Sequence, residues 1–406
     1  MGRRKNRSGG CLTVILGFLT ICLGILVAVL FLSQYEKLGG EIEERAVQEE
    51  IPYQQIEDIP EEELERYYFG QLSEGEQMAY LEILQGIRES REKIYVHSED
   101  AMRTNELFQY VLRDYPGIFW CDGSTTATAY TGDESYTVLK PGYLYDMTER
   151  ETRQAEIDTE VTSCLAGIDM AASDYEKILY VYEYIVRTVD YDQQAEDNQN
   201  IYSVFVNKRS VCAGYSKAMQ YLLDKLGVFC TYVTGQTEGG QSHAWNLVIC
   251  EGEYYYVDVT WGDPVFMEHE GEETGQAGQD YIGYDYMCCD EEELLRTHIP
   301  DEDAVLPPCT SKEWNYYVVN GMYYEYYDSE ETLKAMNDVI SAGGNPVTLK
   351  YADQELYEQA RQDIFSDVLH RAAQNLAQWY GLSQVRYSYI DDEKLNKIVI
   401  YWEYSE

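Results

Sequence analysis

The chain has 406 residues, and 45% of them are hydrophobic. This is enough for one to three packed domains and excludes an intrinsically disordered protein. The formal net charge of −43 argues against nucleic acid and anionic lipid as ligands. It weakly favours basic or amine-bearing substrates, although a solvated acidic surface explains it more simply. The 10 cysteines include no CxxC pair, so we expect no metal site, and we expect no cofactor.

The N-terminus has the pattern of a membrane anchor. Residues 1–10 contain four basic side chains and no acidic one, and residues 11–32 form an uncharged run. The run has 22 residues, and a helix needs about 20 to cross a bilayer. We expect an uncleaved signal anchor, with the basic tail in the cytoplasm and the rest of the chain outside a cell membrane. A cleaved export signal is the alternative, although its apolar core would be shorter, about 7–15 residues.

The exported part divides into four predicted segments. Residues 33–66 are acidic and poor in large apolar side chains, which is typical of a stalk. Residues 67–147 are expected to form a small α+β region, 148–310 a central domain, and 311–406 a C-terminal α+β domain. Eight cysteines lie in this exported part, and their scattered spacing predicts few or no disulfides.

Apolar periodicity predicts the individual elements in chain order. Ser173 and Glu176 form a capping box at the start of one of the helices. Helices are expected at 78–87, 99–113, 148–168, 173–189, 212–226, 329–341 and within 353–379. Strands are expected at 118–121, 126–131, 135–146, 228–234, 243–250, 253–261, in a hairpin at 315–327, and at 346–351, 384–390 and 396–403.

Cys212 falls in the first turn of the predicted helix 212–226. A thiol at a helix N-terminus meets the positive end of the helix dipole and unpaired N–H groups, which favour the thiolate, the nucleophilic form. The same N–H groups can hold an oxyanion. Cys212 also lies on the apolar stripe of this helix, however, and a free cysteine is often simply buried. Position alone leaves both interpretations open.

His243 and Asp258 are predicted to meet across a hairpin. If Glu251 and the glycine after it form a two-residue turn, Cys250 pairs with Glu253, and Asp258 becomes a diagonal neighbour of His243 on the same face. A carboxylate there would fix the imidazole tautomer and stabilise its charged form. A structural histidine and a surface carboxylate are the alternatives. Asp258 lies in an otherwise apolar strand, which argues against a surface role.

Three linked motifs resemble the signature of the transglutaminase-like superfamily. They are RSVCAGYS at 209–216, HAWN at 243–246 and YVDVTWGDP at 256–264. The resemblance covers roughly 150–310, and the stretch 286–309 resembles the tail of bacterial, membrane-anchored members. The family often has Gly where Ser210 stands, and a serine there is expected to act as helix N-cap.

The resemblance implies an α+β fold with a papain-like core, in which the catalytic cysteine starts a helix packed on an antiparallel sheet that carries histidine and aspartate. Carried over, Cys212 is the nucleophile, His243 the general base and acid, and Asp258 the orienting group. The implied activity is thiol-dependent acyl transfer or hydrolysis at peptide bonds, most simply as a cysteine peptidase. Gln199 and Tyr202 stay open candidates for a side-chain oxyanion donor.

The expected partner is a protein or peptide substrate, with cell-envelope peptide as one candidate, and the oligomeric state is open. The alternative is that this chain is a surface protein without catalytic activity. Its transglutaminase-like core would then be a scaffold that binds envelope peptide or glycan. An intact Cys/His/Asp set counts against that alternative, since a scaffold does not need all three residues.

Overall fold

The computed structural model describes residues 51–56, 64–132, 134–263 and 282–404. The predicted basic tail 1–10 and membrane segment 11–32 lie outside these ranges, as does most of the predicted stalk. Within the ranges, no helix has the length and apolarity needed to cross a bilayer. The predicted boundaries of the three following domains stay predictions, because the chain from Tyr53 onward forms one compact unit.

The first elements are two helices on a three-stranded antiparallel sheet of order β1-β3-β2. They are α1 (Glu74–Arg88), β1 (Ile94–Val96), α2 (Ala101–Asp114), β2 (Cys121–Tyr130) and β3 (Tyr136–Tyr143). The predicted strand 118–121 is wrong except for Cys121, which begins β2. Residues 118–120 lie in a turn, in which the Ile118 N–H donates to the Tyr115 carbonyl, and their apolar side chains are buried in the core.

Helices dominate the next stretch. The elements are α3 (Met147–Leu165), α4 (Asp174–Thr188), β4 (Asp190–Tyr191), α5 (Ile201–Phe205), β5 (Arg209–Ser210) and α6 (Cys212–Leu226). The predicted capping box of α4 is confirmed, with Ser173 and Glu176 bonded reciprocally. The predicted end of α6 is also confirmed: Gly227 has a left-handed backbone with φ of 73°.

A five-stranded antiparallel sheet of order β10-β6-β7-β8-β9 forms the centre of the molecule, and α6 packs on β6 and β7. Its elements are β6 (Cys230–Thr237), β7 (Ser242–Cys250), β8 (Glu253–Val257), β9 (Met287–Cys289), α7 (Glu291–Leu294) and β10 (His298–Pro300). The predicted turn is confirmed, since Glu251 and Gly252 both have positive φ and Cys250 pairs with Glu253. The strand predicted as far as residue 261 ends early, because Asp258 Oδ1 accepts the N–H groups of Thr260 and Trp261 and starts a 3-10 turn.

The C-terminal elements surround a second apolar core under a sheet of order β11-β12-β14-β13. They are α8 (Tyr316–Val319), β11 (Tyr323–Tyr324), α9 (Ser329–Ser341), β12 (Val347–Tyr351), α10 (Gln354–Asp363), α11 (Leu369–Tyr380), β13 (Tyr387–Asp392) and β14 (Lys397–Trp402). The predicted hairpin 315–327 is wrong. Asn315 caps a short helix, and β11 pairs in parallel with β12 rather than with a neighbouring hairpin strand.

Two buried ion pairs join this sheet to the central elements. Lys397 Nζ of β14 lies 2.5 Å from Asp285 Oδ2, and each side chain is only 5% exposed. Lys350 of β12 pairs with Glu293 of α7. Burial alone would raise the pKa of Asp285, but the two lysines hold it below its usual value. The buried Asp285 carboxylate therefore depends on the two lysines to remain charged.

Removing one member of the Lys397–Asp285 pair should destabilise the fold strongly. We predict that Lys397→Met lowers the free energy of unfolding by about 3–5 kcal/mol, because it leaves a buried carboxylate without its main partner. Urea denaturation measures this. The double variant with Asp285→Asn should recover part of the loss. Lys334→Met, at an exposed ion pair, is the control; an equal effect of both single changes would contradict the prediction.

Candidate active site

The predicted nucleophile Cys212 is the first residue of α6. It is partly exposed, whereas the other seven cysteines in the described ranges are buried. The first N–H groups of a helix have no intrahelical acceptor and lie at the positive end of its dipole. Position and accessibility therefore both suit a reactive thiol.

Ser210 holds the loop before α6 but does not cap the helix, so the expected N-cap is wrong. The cap position is Val211, and it makes no side-chain cap bond. The Ser210 hydroxyl is buried, donates to the Asn198 carbonyl at 2.7 Å and lies 2.7 Å from Ser203 Oγ. Because α6 begins two residues after Ser210, the serine does not occupy the cap position, and its hydroxyl is bonded to the loop that contains Asn198. Gly214 is required beside it, because a Cβ there would lie 2.0 Å from Ser210 Oγ.

His243 and Asp258 lie in direct contact in the core. His243 Nε2 is 2.6 Å from Asp258 Oδ2, and both side chains are almost fully buried. The Cys212 thiol lies close enough to the same ring to contribute to the raised pKa of His243. Since Nε2 faces the carboxylate, Nδ1 is the nitrogen left for the thiol. The structure thus brings the three predicted residues together in the order thiol, imidazole, carboxylate.

The protonation states follow from these contacts. Burial alone would lower the pKa of His243, but the charge and hydrogen bond of Asp258, with a smaller contribution from Cys212, raise it above its usual value. Burial would raise the pKa of Asp258, yet its histidine partners hold it well below its usual range. An imidazolium–carboxylate pair therefore persists at neutral pH. Such a cation favours the thiolate of a neighbouring cysteine.

His298 of β10 is a site residue that the sequence analysis missed. Its Nε2 lies 3.0 Å from Asp258 Oδ2, and its Nδ1 lies 2.7 Å from Thr297 Oγ1, which in turn is 2.5 Å from the Tyr286 hydroxyl. Burial and the charge of His243 lower the pKa of His298, and together they outweigh Asp258, which raises it. The ring of His298 is therefore neutral. A carboxylate can only accept, so His298 Nε2 carries the proton and donates it. His298 therefore holds Asp258 through Oδ2, the same oxygen that contacts His243.

Among the described residues, His243, Asp258 and His298 also form a group whose donor atoms could hold a metal ion. The ligand atoms of His243, Asp258 and His298 lie within 4.8 Å of one another. A zinc ion would need each of them at about 2.0–2.2 Å. Binding would therefore break the 2.6 Å hydrogen bond between His243 and Asp258. The geometry fits a hydrogen-bonded row better than a metal centre.

Backbone groups beside the thiol could hold an oxyanion. The N–H groups of Cys212 and Ala213 have no protein acceptor in the described part of the chain. Burial raises the pKa of Tyr232 of β6, and the nearby Cys212 adds a smaller effect in the same direction. Its phenol therefore stays protonated and is a further donor, which the sequence analysis did not identify.

The two side-chain donors that the sequence left open are placed differently. The Tyr202 hydroxyl donates to Glu156 at 2.7 Å, so it is already engaged. Gln199 lines a cavity beside α6, where its backbone carbonyl accepts from Lys217 Nζ at 3.2 Å. Neither contact assigns an oxyanion role.

Other residues of the three sequence motifs join the elements that carry the site. The Ser216 hydroxyl of α6 donates to the Ala244 carbonyl of β7 at 2.9 Å, and Asn246 Nδ2 of β7 donates to the Ser216 carbonyl at 3.0 Å. The Tyr215 hydroxyl donates to Asp263 Oδ2 at 2.8 Å. All of these groups are buried. The thiol, the imidazole and the carboxylate are thus held in place by hydrogen bonds between their own motifs.

Part of the chain matches a known protein family. Residues 164–259 match the sequence model of the transglutaminase-like superfamily, and this span contains Cys212, His243 and Asp258. Residues 164–259 form a transglutaminase-like core. His298 lies beyond the matched span, although it contacts the carboxylate of this core.

Known relatives share part of the chain. The kyphoscoliosis peptidase of Mus musculus is 26% identical over 159 residues, which is 34% of this chain and 24% of that protein. The protein of the same name from Homo sapiens is 31% identical over 108 residues, 23% of this chain and 16% of its own. This chain thus spans about a quarter or less of the curated relatives it matches. A crystal structure of a proposed cysteine protease from Cytophaga hutchinsonii is 14% identical, covers 34% of this chain and 61% of that chain, and has a TM-score of 0.24.

Asp258→Asn in the transglutaminase-like core should lower the pKa of His243. The native carboxylate raises the pKa of His243. The imidazolium, and the stability that it contributes to the folded state, are therefore lost only when the pH rises through this raised pKa. Without the charge, burial dominates and the proton leaves at lower pH. An NMR titration of the His243 ring measures the change. Asp338→Asn, at an exposed carboxylate, is the control, and an unchanged or higher value in the Asp258 variant would contradict the prediction.

His298→Leu should weaken the site because it removes a donor from a buried carboxylate. We expect the free energy of unfolding to fall by about 1–3 kcal/mol and the His243 titration to shift, whereas His298→Gln, which keeps an N–H, should retain more of both. Urea denaturation and the NMR titration measure these effects. His370→Leu on exposed α11 is the control. If His298→Leu lowers the free energy of unfolding but leaves the His243 titration unchanged, His298 contributes only to packing.

Proposed function

We propose that this protein is an extracytoplasmic thiol enzyme that transfers or hydrolyses acyl groups at peptide or amide bonds. The observation that carries the proposal is the position of the His243 ring. The ring is hydrogen-bonded to Asp258 at 2.6 Å, and it lies close enough to the Cys212 thiol at the N-terminus of α6 for the thiol to help raise its pKa. The match to the transglutaminase-like superfamily supports it.

In the first half of the reaction, the Cys212 thiolate attacks the carbonyl carbon of the amide. The electron pair of the C=O bond moves to oxygen, and the N–H groups of Cys212 and Ala213 would hold the resulting oxyanion. When the intermediate collapses, the C–N bond breaks, and His243 gives its proton to the leaving amine. A thioester on Cys212 and a neutral imidazole remain.

In the second half, neutral His243 takes a proton from a second nucleophile, which attacks the thioester and restores the thiolate. Water as nucleophile makes the protein a peptidase or deamidase, whereas an amine makes it a cross-linking enzyme. The same three residues serve both reactions. We favour hydrolysis, because the curated relatives are named peptidases.

The setting of the reaction follows from the sequence. We propose that residues 11–32 anchor the chain in a cell membrane and that the part from residue 33 onward lies outside. This part carries 26 Lys and Arg against 73 Asp and Glu, a net charge of −47. Labelling of intact cells with a membrane-impermeant amine reagent tests the orientation, since only an outer domain is accessible to it.

Cys212→Ala should abolish product formation. The full-length protein in detergent micelles is incubated with a peptide library, with and without an added primary amine, and the product masses separate cleavage, deamidation and cross-linking. Cys309→Ala, at a buried thiol, is the matched control and should keep activity. The same product yield from the native protein and the Cys212 variant would overturn the proposal.

Iodoacetamide gives a second readout of the same site. We expect Cys212 to react faster than the other cysteines and His243→Ala to remove that advantage, because the imidazolium no longer favours the thiolate. Mass spectrometry of the digested protein locates the label. Fast, selective labelling without any product from the library would favour the scaffold alternative for those substrates.

A further inference from the structure

A cavity of about 410 Å³ lies alongside the first turns of α6. Its wall includes Ala213, which follows Cys212, and Lys217, one helical turn further on the same face. Tyr232 and the loop residue Gln199 also line it. The cavity therefore lies where the part of a substrate next to its reacting carbonyl would be held.

Lys217 is a cation in this cavity without a matching carboxylate. Its Nζ donates to the Gln199 carbonyl at 3.2 Å, and no carboxylate oxygen of the described residues lies within 4.0 Å of it. Burial lowers its pKa to about 8, with the Cys121 thiol opposing the shift, so it is still mostly protonated at neutral pH. A partly desolvated ammonium of this kind gains most from an anionic partner.

The other charges of the cavity are already engaged. Arg113 Nη1 lies 2.6 Å from Asp303 Oδ2. Asp122 accepts from its neighbour Ser124, and Asp197 accepts from a tyrosine hydroxyl. Of the two cations in the cavity lining, Lys217 is therefore the one whose described contacts include no carboxylate.

We propose that this cavity binds a carboxylate of the acyl substrate through Lys217. The inference rests on the proposed thiol chemistry and specifies its substrate class as peptides with an acidic group near the reacting amide. Cys212 and Lys217 are five residues apart, about 7.5 Å along the helix axis. That distance corresponds to about two residues of an extended peptide. Either an acidic side chain or a free C-terminal carboxylate near the reacting carbonyl supplies the group.

The local cation and the net charge of the chain favour opposite substrates. Composition favours basic substrates, but at physiological ionic strength exposed charges are screened over about 8 Å, so distant carboxylates contribute little at the thiol. The Lys217 ammonium can act at contact distance, because it lines the cavity itself. The site is therefore expected to select acidic peptides despite the acidic surface.

Peptide electrophiles test this inference without requiring turnover. Bromoacetyl-Glu-amide and bromoacetyl-Gln-amide differ by one charge, and both alkylate a thiol. In the full-length protein we expect Cys212 to react about tenfold faster with the Glu probe, as for a hydrogen bond between charged groups. Lys217→Met should bring the Glu/Gln rate ratio close to one, and Lys217→Arg should keep most of it. The ratio cancels any change in thiolate content.

Lys225→Met, on the last turn of the same helix, is the matched control and should keep the native ratio. A Glu/Gln ratio near one in the native protein, or a ratio that Lys217→Met leaves unchanged, would overturn the inference. Bromoacetyl-Gly with a free or an amidated carboxylate distinguishes a terminal from a side-chain acid. If Cys212 reacts faster with the Glu probe than with the Gln probe but no library peptide is turned over, the carboxylate site stands and the proposed enzymatic function fails.

Discussion

The contact between α6 and β7 is the constraint on which the candidate site depends. The helix supplies the thiol and the strand supplies the imidazole, so a shift of one along the other would separate them. Ser216 and Asn246 prevent such a shift through buried hydrogen bonds that run in both directions between the two elements. In a close-packed interior these bonds leave few alternative registers, because each unpaired polar group would cost about 1–3 kcal/mol. Residues without a chemical role therefore fix the geometry of those with one.

The Asp258 carboxylate is the second fixed point. Its Oδ2 faces His243 and His298, while its Oδ1 accepts the N–H groups of Thr260 and Trp261. A buried charge is tolerated only when hydrogen bonds replace the water that it has lost. Four donors do so here, and they also fix the direction of the carboxylate. The aspartate can thus orient the imidazole without moving itself.

Charge acts on two scales in this protein. The surface is strongly acidic, while the candidate site joins a protonated histidine to a helix N-terminus and has a lysine in the adjoining cavity. The net charge governs solubility and long-range encounters, and the local cations govern which groups are stabilised at the thiol. Composition alone is therefore a poor guide to the substrate. The groups within a few ångströms of Cys212 decide it.

The sequence by itself determined the secondary structure around the site and the candidate residues. Capping at Ser173, the glycine after α6 and the Glu251-Gly252 turn are local signals, since each depends on the backbone preferences of neighbouring residues. The same turn set the strand register that directs His243 towards Asp258. Local signals failed where packing decided the conformation, as at residues 118–120, whose apolar side chains fill the core from a turn.

Only the tertiary structure decided the contacts between distant segments. His298 is 40 residues from Asp258 in the chain, and no periodicity relates the two. Ser210 has the residue type of a helix cap, yet its hydroxyl is bonded to Asn198 of a loop brought close by the fold. Lys217 becomes distinctive only when the fold shows that, among the described residues, no carboxylate pairs with it in the cavity. Each of these features depends on which side chains surround a residue, and the order of residues along the chain does not contain that information.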